Sequence, residues 1–271
     1  MQVDLGIFEG GLMNSTPGPV IFDLDGTLLD TAPDLAAALN ALLEEEGCQR
    51  LPLTSVRTMV GQGAISMIKQ GFAQAGIQVE KELPEGMRSR FLDHYRACYM
   101  DRTKPFPGVV EALTKLKEMG HPLSVCTNKS HEMSVAILEG LALKHFFVGI
   151  VGGDSLATAK PDPAPIRAAI ELSGGGVGSA TMVGDSITDI HAAHAAGIPA
   201  IAVTFGYTEI APHDLGADAV IDHFDELYSQ DTQENLFNDI ITSRVMITNA
   251  KGINSKPVAE FIISQIMYFS K

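Results

Sequence analysis

Basic residues are scarce in this chain. Nineteen lysines and arginines stand against 33 aspartates and glutamates, a formal net charge of -14 over 271 residues. A field of that sign disfavours nucleic acid or any other polyanion as a partner, although a small anion can still bind where a metal ion or a few cations sit. Cysteine is scarcer still: Cys48, Cys98 and Cys126 make neither an even set nor a CxxC pair. That argues for a reducing compartment and against a disulfide or zinc framework. No apolar run approaches the ~20 residues that span a bilayer, so no membrane partner is expected. The opening MQVDLGIFEGGL is acidic and lacks the basic start of a secretory signal. Ordered patterning begins near Pro17, which makes Met13 a candidate start. Internal repeats and low-complexity tracts are missing too. What these absences leave is a soluble, cytosolic globular protein, and a 45% hydrophobic content is enough to give it a core.

What is present is a series of apolar runs bounded by turn residues: VIFD (20–23), LSVCTN (123–128), FVGIVGG (147–153), TMVGD (181–185), AIAVTF (200–205) and DAVID (218–222). Between most of them lie segments of helical period, GVVEALTKLKEMG, SHEMSVAILEGL, PAPIRAAIELSG and SITDIHAAHAAG. Strand and helix alternating, with strands apolar on both sides, predict an α/β fold: a Rossmann-like, doubly wound parallel sheet covered on both faces. Ligands of such sheets bind at the carboxyl ends of the strands. From about Pro33 to Lys104 the alternation breaks, and only helical patterns occur (DLAAALNALLEEEG, AISMIKQGFAQAG, PEGMRSRFLDHYRACYM). The expected organisation is therefore a catalytic core of 17–32 and 105–229, an inserted α-helical cap domain at 33–104 ending near the stiff KPFPG, an extension at 1–16, and an appended tail at 230–271.

Chemistry concentrates at the strand ends. FDLDGTLLDT places Asp23 and Asp25 one residue apart after the first strand. Alone, the pair also reads as a turn with hydrogen-bonding aspartates. TNK (127–129) follows the second strand, Lys160 lies in AKPDP after the third, and GDSITD (184–189) follows the fourth. Asp23, Asp25, Asp185 and Asp189 brought together would raise one another's pKa values. A bound Mg²⁺ removes the conflict, because it takes hard oxygen ligands and accepts a phosphate oxygen as another.

DLDGTLLDT, TNK, KPDP and GDSITD, in that order, resemble the four motifs of the haloacid dehalogenase-like hydrolases, with the inserted helical cap of their phosphatase branch. The resemblance covers roughly Pro17 to Ser229. Within the family DLDGTLLDTAPDL, MVGQGA, the FPGV entry, CTNK, VGGDSLATAKPDPAPI and VGDSITDI are similar to the phosphoglycolate phosphatases. The resemblance implies Asp23 as nucleophile forming an aspartyl-phosphate, Asp25 as general acid and then base, and Lys160 as the charge-neutralising group. It implies Thr127, the Asn128 backbone, Gly26 and Gly63 around the substrate; Mg²⁺ on Asp23, the Asp25 carbonyl and Asp185; and Asp189 as support behind them. Gly26 is expected to let the chain turn so that Asp25 faces back over the site. The implied substrate is a small phosphorylated metabolite, 2-phosphoglycolate first. A sugar-phosphate mutase of the same fold is the alternative, and a phosphonate hydrolase is disfavoured because Thr31 to Ile68 contains no lysine for a Schiff base.

The remaining candidates have plainer expectations. His191 and His194 are surface helix positions, Cys126 belongs to the core, and GGG at 174–176 is a loop, because no helix follows immediately. Asp30 and Thr31 should cap the first cap helix. MVGQGA (59–64) is either a helix–helix turn or a loop whose N–H groups meet the substrate's far end. From about Arg244 the tail, VMITNAKGINSKPVAEF, is similar to a stretch of the D-2-hydroxyacid dehydrogenases. No GxGxxG and no catalytic Arg, Glu and His set accompanies it, so no dehydrogenase activity is expected.

Overall fold

The computed structural model describes residues 17–77, 83–84 and 86–228; the extension at 1–16, Met13 included, and the tail at 230–271 lie outside them. The chain enters through β1 (Val20–Phe22), passes a short strand β2 (Leu29–Asp30), and runs through α1 (Ala32–Glu45), α2 (Leu53–Arg57), α3 (Ala64–Gln74) and α4 (Met87–Cys98). It returns through β3 (Lys104–Pro105) to α5 (Val109–Glu118), β4 (Leu123–Cys126), α6 (His131–Gly140), β5 (Gly149–Val151) and α7 (Ala164–Leu172). The last elements are β6 (Thr181–Gly184), α8 (Ile187–Ala196), β7 (Ala200–Val203) and β8 (Ala219–Ile221).

Six of the strands form one sheet in the order β5-β4-β1-β6-β7-β8, every pair parallel. The six apolar runs of the sequence supply these six strands, each ending at or before its polar residue. Successive side chains of a strand point to opposite faces, and the packing follows that rule. Val20, Phe22, Leu123, Val125 and Val183 join one apolar cluster with α5 and α6. Ile21, Cys126, Met182 and Ala200 join the other with α7 and α8. Both faces are thus covered, as doubly apolar strands demand. β1 lies between β4 and β6, so its carboxyl end sits where all the strand-end motifs can meet.

The helical insertion hangs on two arms. β2 and β3 pair antiparallel, Leu29 opposite Pro105 and Asp30 opposite Lys104. Two-residue strands carry no periodicity, which is why the sequence did not announce them; the five-residue α2 went unannounced for the same reason. Beside the arms the buried Asp34 carboxylate accepts from the N–H groups of Arg102 and Thr103 at 3.0 and 2.8 Å and from the Thr103 hydroxyl at 2.8 Å. One side chain at the start of α1 thereby ties down the chain leaving the insertion.

Candidate active site

The loop after β1 sets the first two carboxylates. The Asp23 N–H continues the ladder by donating to Val183 O at 2.9 Å. The chain then turns at Gly26, where φ is +89° and the N–H donates to Leu29 O at 3.0 Å. A Cβ at Gly26 would lie 2.4 Å from Asp185 Oδ2, so both the positive φ and the close approach require glycine. Gly26 does not reach the cavity wall. Its backbone lies against Asp185.

Lys160 joins the strand ends. Its ammonium, on a residue 5% exposed, donates to Asp23 Oδ1 at 2.8 Å, Asp189 Oδ1 at 2.6 Å and Cys126 O at 2.6 Å. Its three donors are thereby satisfied. Burial works against its charge, but Asp189 and Asp23 outweigh burial and hold its pKa above the ordinary lysine value. Asp189 closes a capping box at the start of α8, its other oxygen accepting from the Ser186 N–H at 3.1 Å and hydroxyl at 2.6 Å. Asp185, at the end of β6, accepts from the Thr27 hydroxyl at 3.1 Å and the Tyr207 N–H at 2.8 Å.

Electrostatically this corner is short of positive charge. Oxygens of Asp23, Asp185 and Asp189 come within 4.8 Å of one another, and Lys160 compensates one of the three carboxylates. Burial pushes Asp23 up to about 7; Lys160 opposes the shift, and Asp189 and Asp25 add to it. Burial, then the charges of Asp189 and Asp23, holds Asp185 well above the usual carboxylate range. An all-oxygen donor set with two uncompensated charges fits a hard divalent cation. Asp189 is already engaged on both oxygens, which suits it to a supporting place rather than a ligand's.

Asp25 stands apart from that cluster. Its Oδ1 accepts from the Thr31 hydroxyl at 2.5 Å, and Lys129 Nζ lies 2.9 and 3.0 Å from its two oxygens. Thr31 therefore does not cap α1 with its side chain, and the expected cap is corrected: its hydroxyl goes to the carboxylate. Asp30, the other expected cap, instead accepts from Arg57 at 3.0 Å and the Tyr207 hydroxyl at 2.7 Å.

Asp23, Asp25, Thr127, Asn128, Lys129 and Lys160 share one wall of a cavity of about 310 Å³, and the loop Met59–Ala64 with α4 residues Arg88, Phe91 and Tyr95 forms the facing wall. MVGQGA is thus a cavity loop as well as a link between helices, and Gly63 heads α3 there with φ +84°. Asn128 Nδ2 bridges the two walls, donating to Gly61 O and Lys160 O at 3.1 Å each. Thr127 Oγ1 accepts from the Lys129 N–H at 3.2 Å. Asp185 and Asp189 sit behind Asp23, off the wall.

Four contacts escaped the sequence: Lys129 to Asp25, Thr31 to Asp25, and Thr27 and Tyr207 to Asp185. Lys129 and Tyr207 both follow strand ends, and that position was the available signal. Cys126 is buried core, its thiol pushed up to about 12 by burial. His191 is exposed, and His194 pairs with Asp218 at 2.9 Å; the two belong to no candidate metal cluster among the described residues. Among the same residues no helix is long and apolar enough to cross a membrane.

The family model of haloacid dehalogenase-like hydrolases matches residues 20–203. The chain belongs to that family. Phosphoglycolate phosphatase of Caulobacter vibrioides is 47% identical over 205 residues, 76% of this chain and 86% of the relative. Its counterpart from Agrobacterium fabrum is 45% identical over 208 residues, 75% of this chain and 88% of the relative. The crystal structure of a predicted phosphoglycolate phosphatase from Haemophilus somnus superposes with a TM-score of 0.71 at 32% identity, covering 79% of this chain and 97% of the other. The resemblance carried by the four motifs is borne out.

Proposed function

We propose that this haloacid dehalogenase-like hydrolase is a Mg²⁺-dependent phosphatase that converts 2-phosphoglycolate to glycolate and phosphate through an aspartyl-phosphate on Asp23. The observation that carries the reading is the placement of Asp23 and Asp25 on one wall of a cavity of about 310 Å³, with separate lysines paired to each. The names of the similar proteins supply the substrate.

In this scheme Asp23 attacks phosphorus, and the P–O bond to the glycolate oxygen breaks. Asp25 gives that oxygen a proton and later takes one from the water that attacks the acyl phosphate, returning Asp23 and phosphate. Lys160 balances charge on the nucleophile, and the Thr127 hydroxyl and Asn128 N–H hold the phosphoryl oxygens. Asp23, Asp185 and the Asp25 carbonyl would hold Mg²⁺, with Asp189 behind them. When bound, the ion supplies electrostatic stabilisation of the transferring phosphoryl group. The three cysteines are free, in keeping with the cytoplasmic location we assign.

The test is phosphate release from a panel of phosphoesters compared by kcat/KM. Phosphoglycolate should lead the panel, and EDTA should abolish turnover. Full activity after exhaustive EDTA treatment would contradict the metal requirement, and rearrangement of a sugar phosphate without phosphate release would favour the mutase.

The raised Asp23 sets the pH dependence. A carboxyl whose folded pKa lies above its unfolded value stabilises the metal-free fold at low pH, and that contribution is lost as pH rises from 3.8 through about 7. Mg²⁺ needs the carboxylate, so its binding competes with this proton. The apparent Mg²⁺ affinity, read from the ion-induced rise in Tm, should fall about tenfold between about pH 8 and about pH 6.

The tail makes a further prediction. Every residue in the scheme precedes Tyr228, and Phe224 and Leu227 are buried against the core. Removing Asp231 to Lys271 should leave phosphate release within about twofold of the full chain, whereas removal from Phe224 onward strips core residues and should unfold it.

A further inference from the structure

Lys129 takes no chemical step in the scheme above beyond its pairing with Asp25, although it is a buried charge. Its side chain is 7% exposed. Burial opposes its charge, yet Asp25 holds its pKa above the ordinary lysine value. An ammonium has three donors, and the two Asp25 oxygens are its only hydrogen-bond acceptors among the described residues. Its nitrogen also stands 4.8 Å from the centre of the Tyr95 ring, on the facing wall of the cavity. The Tyr95 hydroxyl is buried, on a residue 2% exposed; it interacts with the Lys129 ammonium but makes no hydrogen bond of ordinary length among the described residues. Arg88, about two helical turns before Tyr95 on α4, lines the same cavity and makes no ion pair among those residues. A buried lysine whose one carboxylate partner is Asp25, the tyrosine hydroxyl it interacts with, and a guanidinium with no ion pair among the described residues line this one cavity, a donor set suited to an anion.

We infer that Lys129, Tyr95 and Arg88 bind the carboxylate of the substrate, so that the enzyme selects phosphoesters bearing a carboxylate beside the ester oxygen. The inference rests on the phosphatase reading above. In phosphoglycolate one methylene separates the carboxylate from the ester oxygen, and Asp25 is the group that hands a proton to that oxygen. A cation in contact with Asp25 is therefore within reach of the carboxylate. The charges also fit: Asp25 enters the step carrying the proton it gives away, so Lys129 and Arg88 are the positive charges that meet the incoming carboxylate. Tyr95 donates the hydrogen bond its hydroxyl otherwise lacks.

The test compares kcat/KM for phosphoglycolate with that for 2-hydroxyethyl phosphate, which has the same carbon count and a neutral end. Lys129→Met should reduce the preference for phosphoglycolate on the order of 10- to 100-fold, the range for a charge-assisted hydrogen bond. Tyr95→Phe and Arg88→Met should each reduce it by roughly 3- to 10-fold, and these two variants decide the matter if Lys129→Met does not fold. A residue that only supports Asp25 or the packing of α4 lowers both substrates together and leaves the ratio in place. An unchanged ratio in the folded variants overturns the inference while the phosphatase reading stands. A native enzyme with no preference between the two substrates overturns the assignment of phosphoglycolate itself.

Discussion

Asp23→Asn should lower kcat by about 10⁴-fold or more on every phosphoester, the first turnover included, because an amide cannot attack phosphorus. The fold should survive the change. The new side chain keeps an oxygen to accept from Lys160, which also retains Asp189 and Cys126 O. Burial and Asp189 raise Asp185 most, and removing the Asp23 charge relieves the further repulsion it adds, so the metal-free Tm should hold or rise. An inactive variant with intact Tm assigns the loss to chemistry. Residual steady-state turnover above about one per cent would require another nucleophile, since a missing nucleophile costs orders of magnitude.

Asp25→Asn should split the reaction by leaving group. The amide oxygen still accepts from Thr31 and Lys129, and a metal contact made through the backbone carbonyl is untouched. What is lost is proton transfer, worth typically ~10²–10⁴-fold. Phosphoglycolate leaves as a high-pKa alkoxide and needs that proton; p-nitrophenyl phosphate leaves as a stable phenolate and does not. With p-nitrophenyl phosphate the variant should release a burst near one nitrophenolate per enzyme and then stall, since no base activates the water. With phosphoglycolate it should show almost no first turnover. Equal losses on both substrates with no burst, measured by rapid quench, would remove Asp25 from the proton-transfer role.

The sequence exposed the sheet because β1, β4, β6 and β7 are apolar on both faces, a pattern that no neighbouring helix shares. It exposed the site because parallel strands deliver their carboxyl ends to one edge, so Asp23, Thr127 and Asp185 had to be neighbours. It did not expose partner choice. Thr31 precedes α1 in the position of a cap, yet the nearby Asp25 carboxylate is the stronger acceptor and takes its hydroxyl. Gly26 was legible as a turn; that it also makes room for Asp185 depends on how two loops 159 residues apart in number order pack together. The pairing of Lys129 with Asp25 and its approach to Tyr95 join a strand end to a helix of the insertion. Such a contact depends on how the insertion is set over the sheet, and the arms that set it, β2 and β3, are too short to read.

The central claim is a covalent phosphoryl group on Asp23. Native enzyme mixed with Mg²⁺ and phosphoglycolate, quenched in acid within the first turnover and reduced with borohydride, converts any acyl phosphate to an alcohol that mass spectrometry locates by residue. The account predicts the reduced side chain at position 23 and at no other carboxylate. Phosphate release at the normal rate with position 23 unmodified, or modification at Asp25 or Asp185 instead, would contradict it.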